Sequence, residues 1–191
     1  MTLSRLQGKG RAMNHRHPDA RSELVFEIHE LARRAGTMKT IRRTVAAPAD
    51  LGIDMIGVPQ GSDIDIDLRL EAVVEGVLVT GTADVILSGE CARCLEGIDD
   101  QGSFSLQELY FYPGREAEED ACWVVDDMID VEIPLRDAVV LELPFTPLCR
   151  PDCAGLCPLC GANLNNDPEH NHGEQVDPRW EKLAGLGGAD D

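Results

Sequence analysis

The run Cys149-Arg-Pro-Asp-Cys153-Ala-Gly-Leu-Cys157-Pro-Leu-Cys160-Gly161 places four of the chain's seven cysteines within twelve residues. Thiols this crowded constrain a fold more tightly than any apolar pattern, because they must be bridged, bound to a metal or held apart. A second pair, Cys91-Ala-Arg-Cys94, lies upstream, and His170-Asn-His172 follows the cluster. Eight soft or borderline donors at these spacings suit tetrahedral zinc, and eight suffice for two ions.

At 191 residues the chain is long enough to bury one core of ordinary size. The first residues lack the apolar stretch of a signal peptide, and the apolar run around Val73 to Leu87 is broken by Glu75, Gly81 and Asp84. The expectation is a cytoplasmic protein with no membrane partner. A reducing compartment favours metal thiolates over disulfides, for which seven cysteines are in any case an odd number.

Charge divides the chain. Residues 1–44 carry ten Lys/Arg against four acids, a net of +6, while the remainder carries seven against 31, a net of -24. Residues 1–21 are polar and basic without apolar periodicity and read as a disordered arm, in which Met13 offers a second start. Residues 22–148 read as an antiparallel-sheet core with a helix, 149–176 as the metal-binding segment, and 177–191 as a short helix and acidic tail.

Within the core, Leu24–Leu31 alternates loosely and predicts a strand; Met38–Val45 predicts a second, with Arg33 and Arg34 in the loop between them. Ile64, Ile66, Leu68 and Leu70 alternate with charges and predict a strand with one buried face. The acids at 63, 65 and 67 resemble the start of a calcium loop, but its glycine and distal glutamate are missing, so strand alternation is the better explanation. Val77–Leu87 and Ser103–Tyr112, joined across a turn read at Gly97–Gly102, complete a three-stranded meander. Cys122-Trp-Val-Val125 reads as a short buried strand, with Cys122 a small hydrophobe. Pro134 at a first turn, Leu135, Val139 and Leu143 at helical spacing and Pro144 as a stop predict one helix; Pro178–Leu186 predicts another. The fold class is α+β, mainly antiparallel sheet with one or two short helices and a zinc-ribbon-like C-terminal segment.

Cys157-Pro-Leu-Cys160-Gly161 has the form of a zinc knuckle, two thiolates facing one ion before a glycine that permits a tight turn. Two pairings satisfy the spacings. In one, Cys157, Cys160, His170 and His172 hold one ion and Cys91, Cys94, Cys149 and Cys153 a second; in the other, Cys149, Cys153, Cys157 and Cys160 hold a single ion and the upstream pair is free. A redox role for Cys91 lacks a following helix, and acids nearby would raise the thiol pKa. The histidines and the knuckle glycine favour zinc over an iron–sulfur cluster, and donors sufficient to close both sites favour structure over catalysis. His29 has no ligand neighbour. With no P-loop, dinucleotide fingerprint or nucleophile elbow, the chain does not read as an enzyme, and no small-molecule substrate is expected.

Phe26-Glu-Ile-His-Glu-Leu31, Gly-Glu-Cys91-Ala-Arg-Cys94-Leu, and Leu143-Pro-Phe-Thr-Pro-Leu-Cys149 running through Cys153 and Cys157 to Cys160-Gly-Ala-Asn-Leu164 resemble the bacterial YceD family over roughly residues 22–186. The resemblance implies a role in large-subunit ribosomal RNA accumulation and no known catalytic activity. It matches Cys91 and Cys94 to the family's CxRC positions and Cys149, Cys153, Cys157 and Cys160 to its distal cluster. Many relatives have a further cysteine pair where this chain has His170 and His172, which preserves ligand capacity but changes the charge. The expected partner is a ribosomal protein or rRNA of the large subunit, with Arg33, Arg34, Arg42 and Arg43 and the arm available to phosphates. The alternative is a zinc- or redox-responsive regulatory module using the same residues.

Overall fold

The computed structural model describes residues 17–31, 34–118 and 120–172. In chain order it contains β1 (Val25–Glu27), a 3-10 turn (His29–Leu31), β2 (Met38–Ala46), β3 (Leu51–Ile53), β4 (Ile56–Val58), β5 (Asp63–Ala72), β6 (Gly76–Glu90), β7 (Gly97–Phe111), β8 (Cys122–Trp123), β9 (Met128–Asp130) and α1 (Glu132–Glu142).

Two-residue alternation organises the main sheet. Along β5, Ile64, Ile66, Leu68 and Leu70 are buried, which forces Asp65, Asp67 and Arg69 onto the opposite face. There Thr44 of β2 donates to Asp65 at 2.6 Å and Arg42 pairs with Asp67 at 2.9 Å, each directly across the antiparallel register. Two of the three calcium-like acids, Asp65 and Asp67, are therefore cross-strand partners, and Asp63 stands opposite Ala46. β6 pairs with β5 over Val77–Val85 and with β7 along all fifteen residues of both strands, giving the expected meander a hairpin about 50 Å long. Beyond the end of β5, the β3–β4 hairpin takes its place beside Ser88 and Gly89 of β6. That hairpin was not legible in the sequence: its strands have three residues each and center on glycines, Gly52 and Gly57, whose backbones lie face to face.

The Leu24–Leu31 segment departs from a single strand. Only Val25–Glu27 pairs, antiparallel to β9, and His29–Leu31 winds into a 3-10 turn. Leu24, Phe26 and Ile28 are buried at strand spacing, but the next buried residue is Leu31, three positions on, a spacing that a turn of helix satisfies and a strand does not. A second correction falls on Gly97–Gly102, read as a turn: it is paired strand, opposite Val85–Glu90. The reversal occurs earlier, at residues 91–96, because the cysteine pair itself turns the chain.

β1, β9 and α1 cover the inner face of the sheet, with Phe26, Ile129, Leu135 and Val139 in one core with the buried residues of β5, β6 and β7. α1 begins where Asp130 Oδ1 accepts the Glu132 backbone N–H at 3.0 Å, tolerates Pro134 in its first turn, and ends at Leu143 before Pro144. Arg136 anchors it by donating to the carbonyls of Ala49 and Asp50. β8 runs parallel to the end of β7 and carries Cys122, half-buried against the core, as a small hydrophobe would be. Burial pushes the Cys122 thiol up to about 12, with Glu108, Asp137, Asp130 and Asp120 acting in the same direction. Of the arm expected over residues 1–21, residues 1–16 lie outside the described residues, as does the helix expected at Pro178–Leu186. Asp19–Ser22 form a turn in which Asp19 Oδ1 accepts the Arg21 N–H at 3.0 Å and the Asp19 carbonyl accepts the Ser22 N–H at 2.8 Å. Among those described, no helix is long and apolar enough to cross a membrane.

Tyr110 joins the two sheets: its buried ring lies on β7 and its hydroxyl donates to the Asp130 carbonyl at 2.7 Å. Tyr110→Phe leaves that carbonyl without this donor and is expected to lower stability by about 1 kcal/mol, read as a fall in the denaturant midpoint at unchanged slope.

Candidate metal centre

The long hairpin delivers the first cysteine pair. Strand pairing ends at Glu90, and Cys91 to Glu96 turn the chain with two backbone bonds, Cys91 N–H to Glu96 O at 2.8 Å and Leu95 N–H to Cys91 O at 2.9 Å. The second knuckle repeats the pattern: Cys157 N–H donates to Ala162 O at 2.8 Å and Gly161 N–H to Cys157 O at 2.8 Å. In each, the residue after the second cysteine is left-handed, at φ 60° for Leu95 and 75° for Gly161. Both turns therefore point two sulfurs and several backbone N–H groups to one side, the arrangement that a thiolate-bound cation needs.

The remaining cysteines arrive by way of α1. After the helix, Pro147 accepts the Ala92 N–H at 2.8 Å, which lays the chain against the first knuckle just before Cys149. Arg93 then donates to the Cys153 carbonyl at 2.9 Å. Gly155 is left-handed at φ 78°, and a Cβ there would come within 3.2 Å of the Arg93 carbonyl, so the tight exit from Cys153 requires glycine.

The eight donor residues gather in two groups of four. Cys91, Cys94, Cys149 and Cys153 form one; Cys157, Cys160, His170 and His172 form the other; within each group the donor atoms lie within 4.8 Å of one another. The four consecutive cysteines of the distal run are thus divided between the two groups. In the first, Cys91 Sγ stands 3.8 Å from Cys153 Sγ and Cys94 Sγ stands 3.6 Å from Cys149 Sγ. Four sulfurs about 2.3 Å from a common tetrahedral ion would be about 3.8 Å apart, whereas a disulfide needs about 2.05 Å. In the second, Cys160 Sγ lies 3.2 Å from both histidine Nε2 atoms, which are 2.9 Å apart. Asp167 approaches the other ring nitrogen of His170 at 3.5 Å, the position from which a carboxylate orients a ligating imidazole.

Electrostatics distinguish the sulfurs of the first group. Burial opposes ionisation of Cys91, but backbone N–H groups around Cys149, Cys94 and Arg93 together outweigh it and hold the thiol down at about 6. The Asn165 amide lowers Cys153. Although the Glu96 backbone favours its thiolate, burial and neighbouring sulfurs push Cys94 up to about 12; burial likewise raises Cys149. Four adjacent sulfurs can all ionise only if a cation sits among them. In the second group the Leu159 and Cys160 backbone N–H groups bring Cys157 down to about 6. Both donor sets fit a mononuclear metal ion. They differ in exposure: in the first group Cys91, Cys94 and Cys153 are buried and Cys149 is exposed, while in the second Cys157 alone is buried and Cys160 and His172 face solvent.

The arginines do not converge. Arg42 and Arg43 are neighbours on β2 and project to opposite faces, Arg42 onto Asp67 and Arg43 over the Phe26 ring at 5.3 Å. Arg34 is exposed beyond the 3-10 turn, and Arg33 lies outside the described residues. What sequence reasoning missed is the support of the first group: Asn165 donates to Cys153 Sγ at 3.3 Å and Asn163 to Glu96 at 2.9 Å. The only signal was a run of asparagines that reads as an ordinary polar loop.

A twisted antiparallel sheet whose central hairpin ends in a CxxC turn, closed against a distal cysteine and histidine segment, defines an α+β protein with two candidate metal centres. The chain belongs to the YceD family: the model of the large ribosomal RNA subunit accumulation protein YceD matches residues 79–187, from within β6 through both donor groups. An uncharacterized protein of Mycobacterium tuberculosis is 48% identical over 170 residues, covering 86% of this chain and 82% of its own length. An uncharacterized protein of Mycobacterium leprae is 41% identical over 170 residues, covering 86% and 78%. A maize protein named large ribosomal RNA subunit accumulation protein YCED homolog 1, chloroplastic, is 35% identical over 74 residues, 35% of this chain and 24% of that one. No solved structure matches the chain.

Three outcomes test this geometry. Elemental analysis of the purified chain is expected to find two metal equivalents, one lost in Cys91→Ser/Cys94→Ser, the other lost in His170→Ala/His172→Ala, and neither in Cys122→Ala. Gly161→Ala, whose added methyl meets nothing within 4 Å, is expected to cost about 1 kcal/mol through the left-handed backbone alone. Leu95→Gly removes the same strain and should leave thermal stability unchanged or higher by up to about 1 kcal/mol.

Proposed function

We propose that this protein is a non-enzymatic factor that promotes accumulation of large-subunit rRNA and biogenesis of the large ribosomal subunit, with two structural zinc ions holding its C-terminal segment to the sheet. The observation that carries the metal half of this reading is the division of eight donors into two groups of four. Four protein ligands leave a tetrahedral ion no open position for substrate or water, so the ions serve as staples. The mixture of thiolate and imidazole in the second group favours zinc. The functional half rests on the family and on the names its plant members carry.

Charge selects the kind of partner. A net of -24 over residues 45–191 repels phosphate within a Debye length of roughly 8 Å, so the sheet and metal segment fit a basic large-subunit ribosomal protein better than bare RNA. The basic arm over residues 1–21, with Arg33 and Arg34, is the part suited to rRNA phosphates; Arg42 and Arg43 already have partners in Asp67 and Phe26. The cytoplasm is the compartment this role requires in a bacterium. Exposure of Cys160 and His172 supports a second reading, a zinc- or redox-responsive module that changes its binding when the outer ion is lost.

Depletion of the protein is expected to lower the ratio of large- to small-subunit rRNA, with rescue by the wild-type chain and not by Cys91→Ser/Cys94→Ser. An unchanged ratio would overturn the assembly role. Full rescue by His170→Ala/His172→Ala in oxidant-treated cells, where wild type fails, would favour the responsive module.

A further inference from the structure

We propose that Asn165 couples the two metal centres, so that an ion held by Cys157, Cys160, His170 and His172 tightens binding of an ion by Cys91, Cys94, Cys149 and Cys153. The inference rests on the two-centre reading and concerns a residue that ligates neither ion.

Asn165 lies between Cys160 and His170, the two arms of the second group, in a segment whose ends are brought together when that group closes. Its side chain nevertheless reaches the first group. Asn165 Oδ1 accepts the Ala154 N–H at 2.8 Å, which fixes the orientation of the amide, so that Nδ2 is the atom 3.3 Å from Cys153 Sγ and donates to it. Its own backbone N–H donates to Asn163 Oδ1 at 2.9 Å, and Asn163 Nδ2 donates to Glu96 Oε1 at 2.9 Å. The Glu96 carbonyl in turn receives the Cys91 N–H that closes the first knuckle. Leu164 N–H to Gly155 O at 2.9 Å and the Leu156–Asn163 bridge hold the segment in place. One loop thus touches both limbs of the first group, the Cys153 limb through Asn165 and the knuckle through Asn163.

The energetic logic is specific to four thiolates. With a divalent ion the first group keeps a formal charge of -2, and a neutral N–H donor to one sulfur offsets part of it without competing for the metal. Groups in this supporting position typically change metal affinity by 10- to 100-fold. Because the second ion ties together the ends of the segment that presents Asn165, it lowers the cost of placing that donor. Coupling between two binding equilibria is reciprocal, so the first ion must favour the second by the same factor.

The test is a cobalt(II) titration of the full-length chain against a competing chelator, with the ligand-field bands, which lie at lower energy for four sulfurs than for two sulfurs and two imidazoles, separating the four-sulfur group from the second. His172→Ala is expected to weaken cobalt at that group about tenfold or more. Asn165→Ala should do the same at that group and weaken the second group by no more than the same factor, since all four of its ligands remain, and at the four-sulfur group the double variant should lose no more than either alone. Asn165→Asp keeps the size and the acceptor but replaces the donor with a carboxylate facing sulfur, so it should weaken the first group more than Asn165→Ala; a purely steric role would make it the milder change. Wild-type affinity at the four-sulfur group in the Asn165 variants, or additive losses in the double variant, would overturn the coupling while leaving both centres intact. Absence of cobalt from both groups in the wild type would overturn the two-centre reading, and the coupling with it.

Discussion

Four sulfurs that cannot all carry charge without a cation hold the end of the β6–β7 hairpin to a segment that begins only after α1. The sheet can form without that contact, since β5, β6 and β7 are paired over long runs and share a continuous apolar face. The segment after α1 has little else. Its buried residues near the site are Pro147, Cys153, Gly155 and Cys157, and Leu148 and Leu156 cover the sulfurs only partly. So small an apolar area contributes little against the entropy of ordering some twenty residues, at roughly 1–2 kcal/mol each. Coordination of an ion by the four sulfurs would be large enough to close that gap, as it is in small zinc modules generally.

The two knuckles solve one geometric problem with different residues. Their backbone bonds match, and both place a left-handed residue after the second cysteine. Gly161 adopts that conformation freely. Leu95 adopts it at a cost, and its side chain is largely exposed, so burial does not compensate for it. The first knuckle can bear the strain because a fifteen-residue ladder feeds each of its ends, whereas the second is entered from a loop.

The parts of this arrangement that a sequence reveals are those written in periodicity or in ligand chemistry. Ile64 to Leu70 announced a half-buried strand, Pro134 and Pro144 bracketed the helix, and the cysteine and histidine spacings made the two-group pairing one of two consistent solutions. The missed features have a common cause: partners distant in sequence decide them. Gly97–Gly102 has the composition of a turn, yet it is strand because the knuckle reverses the chain six residues earlier. β1 stops after three residues because β9 offers only three partners. Asn163 and Asn165 are unremarkable in a polar loop until the fold brings Glu96 and Cys153 within reach.

The pairing of β1 with β9 also places an order on synthesis. Val25 faces Asp130 across the small sheet, so Leu24, Phe26 and Ile28 emerge from the ribosome about a hundred residues before the strand that shelters them. At about 5–20 residues per second, those apolar side chains wait on the order of ten seconds for their partner. The long meander is translated within that interval and can fold first by local pairing, leaving the N-terminal strand to dock late on a surface already built.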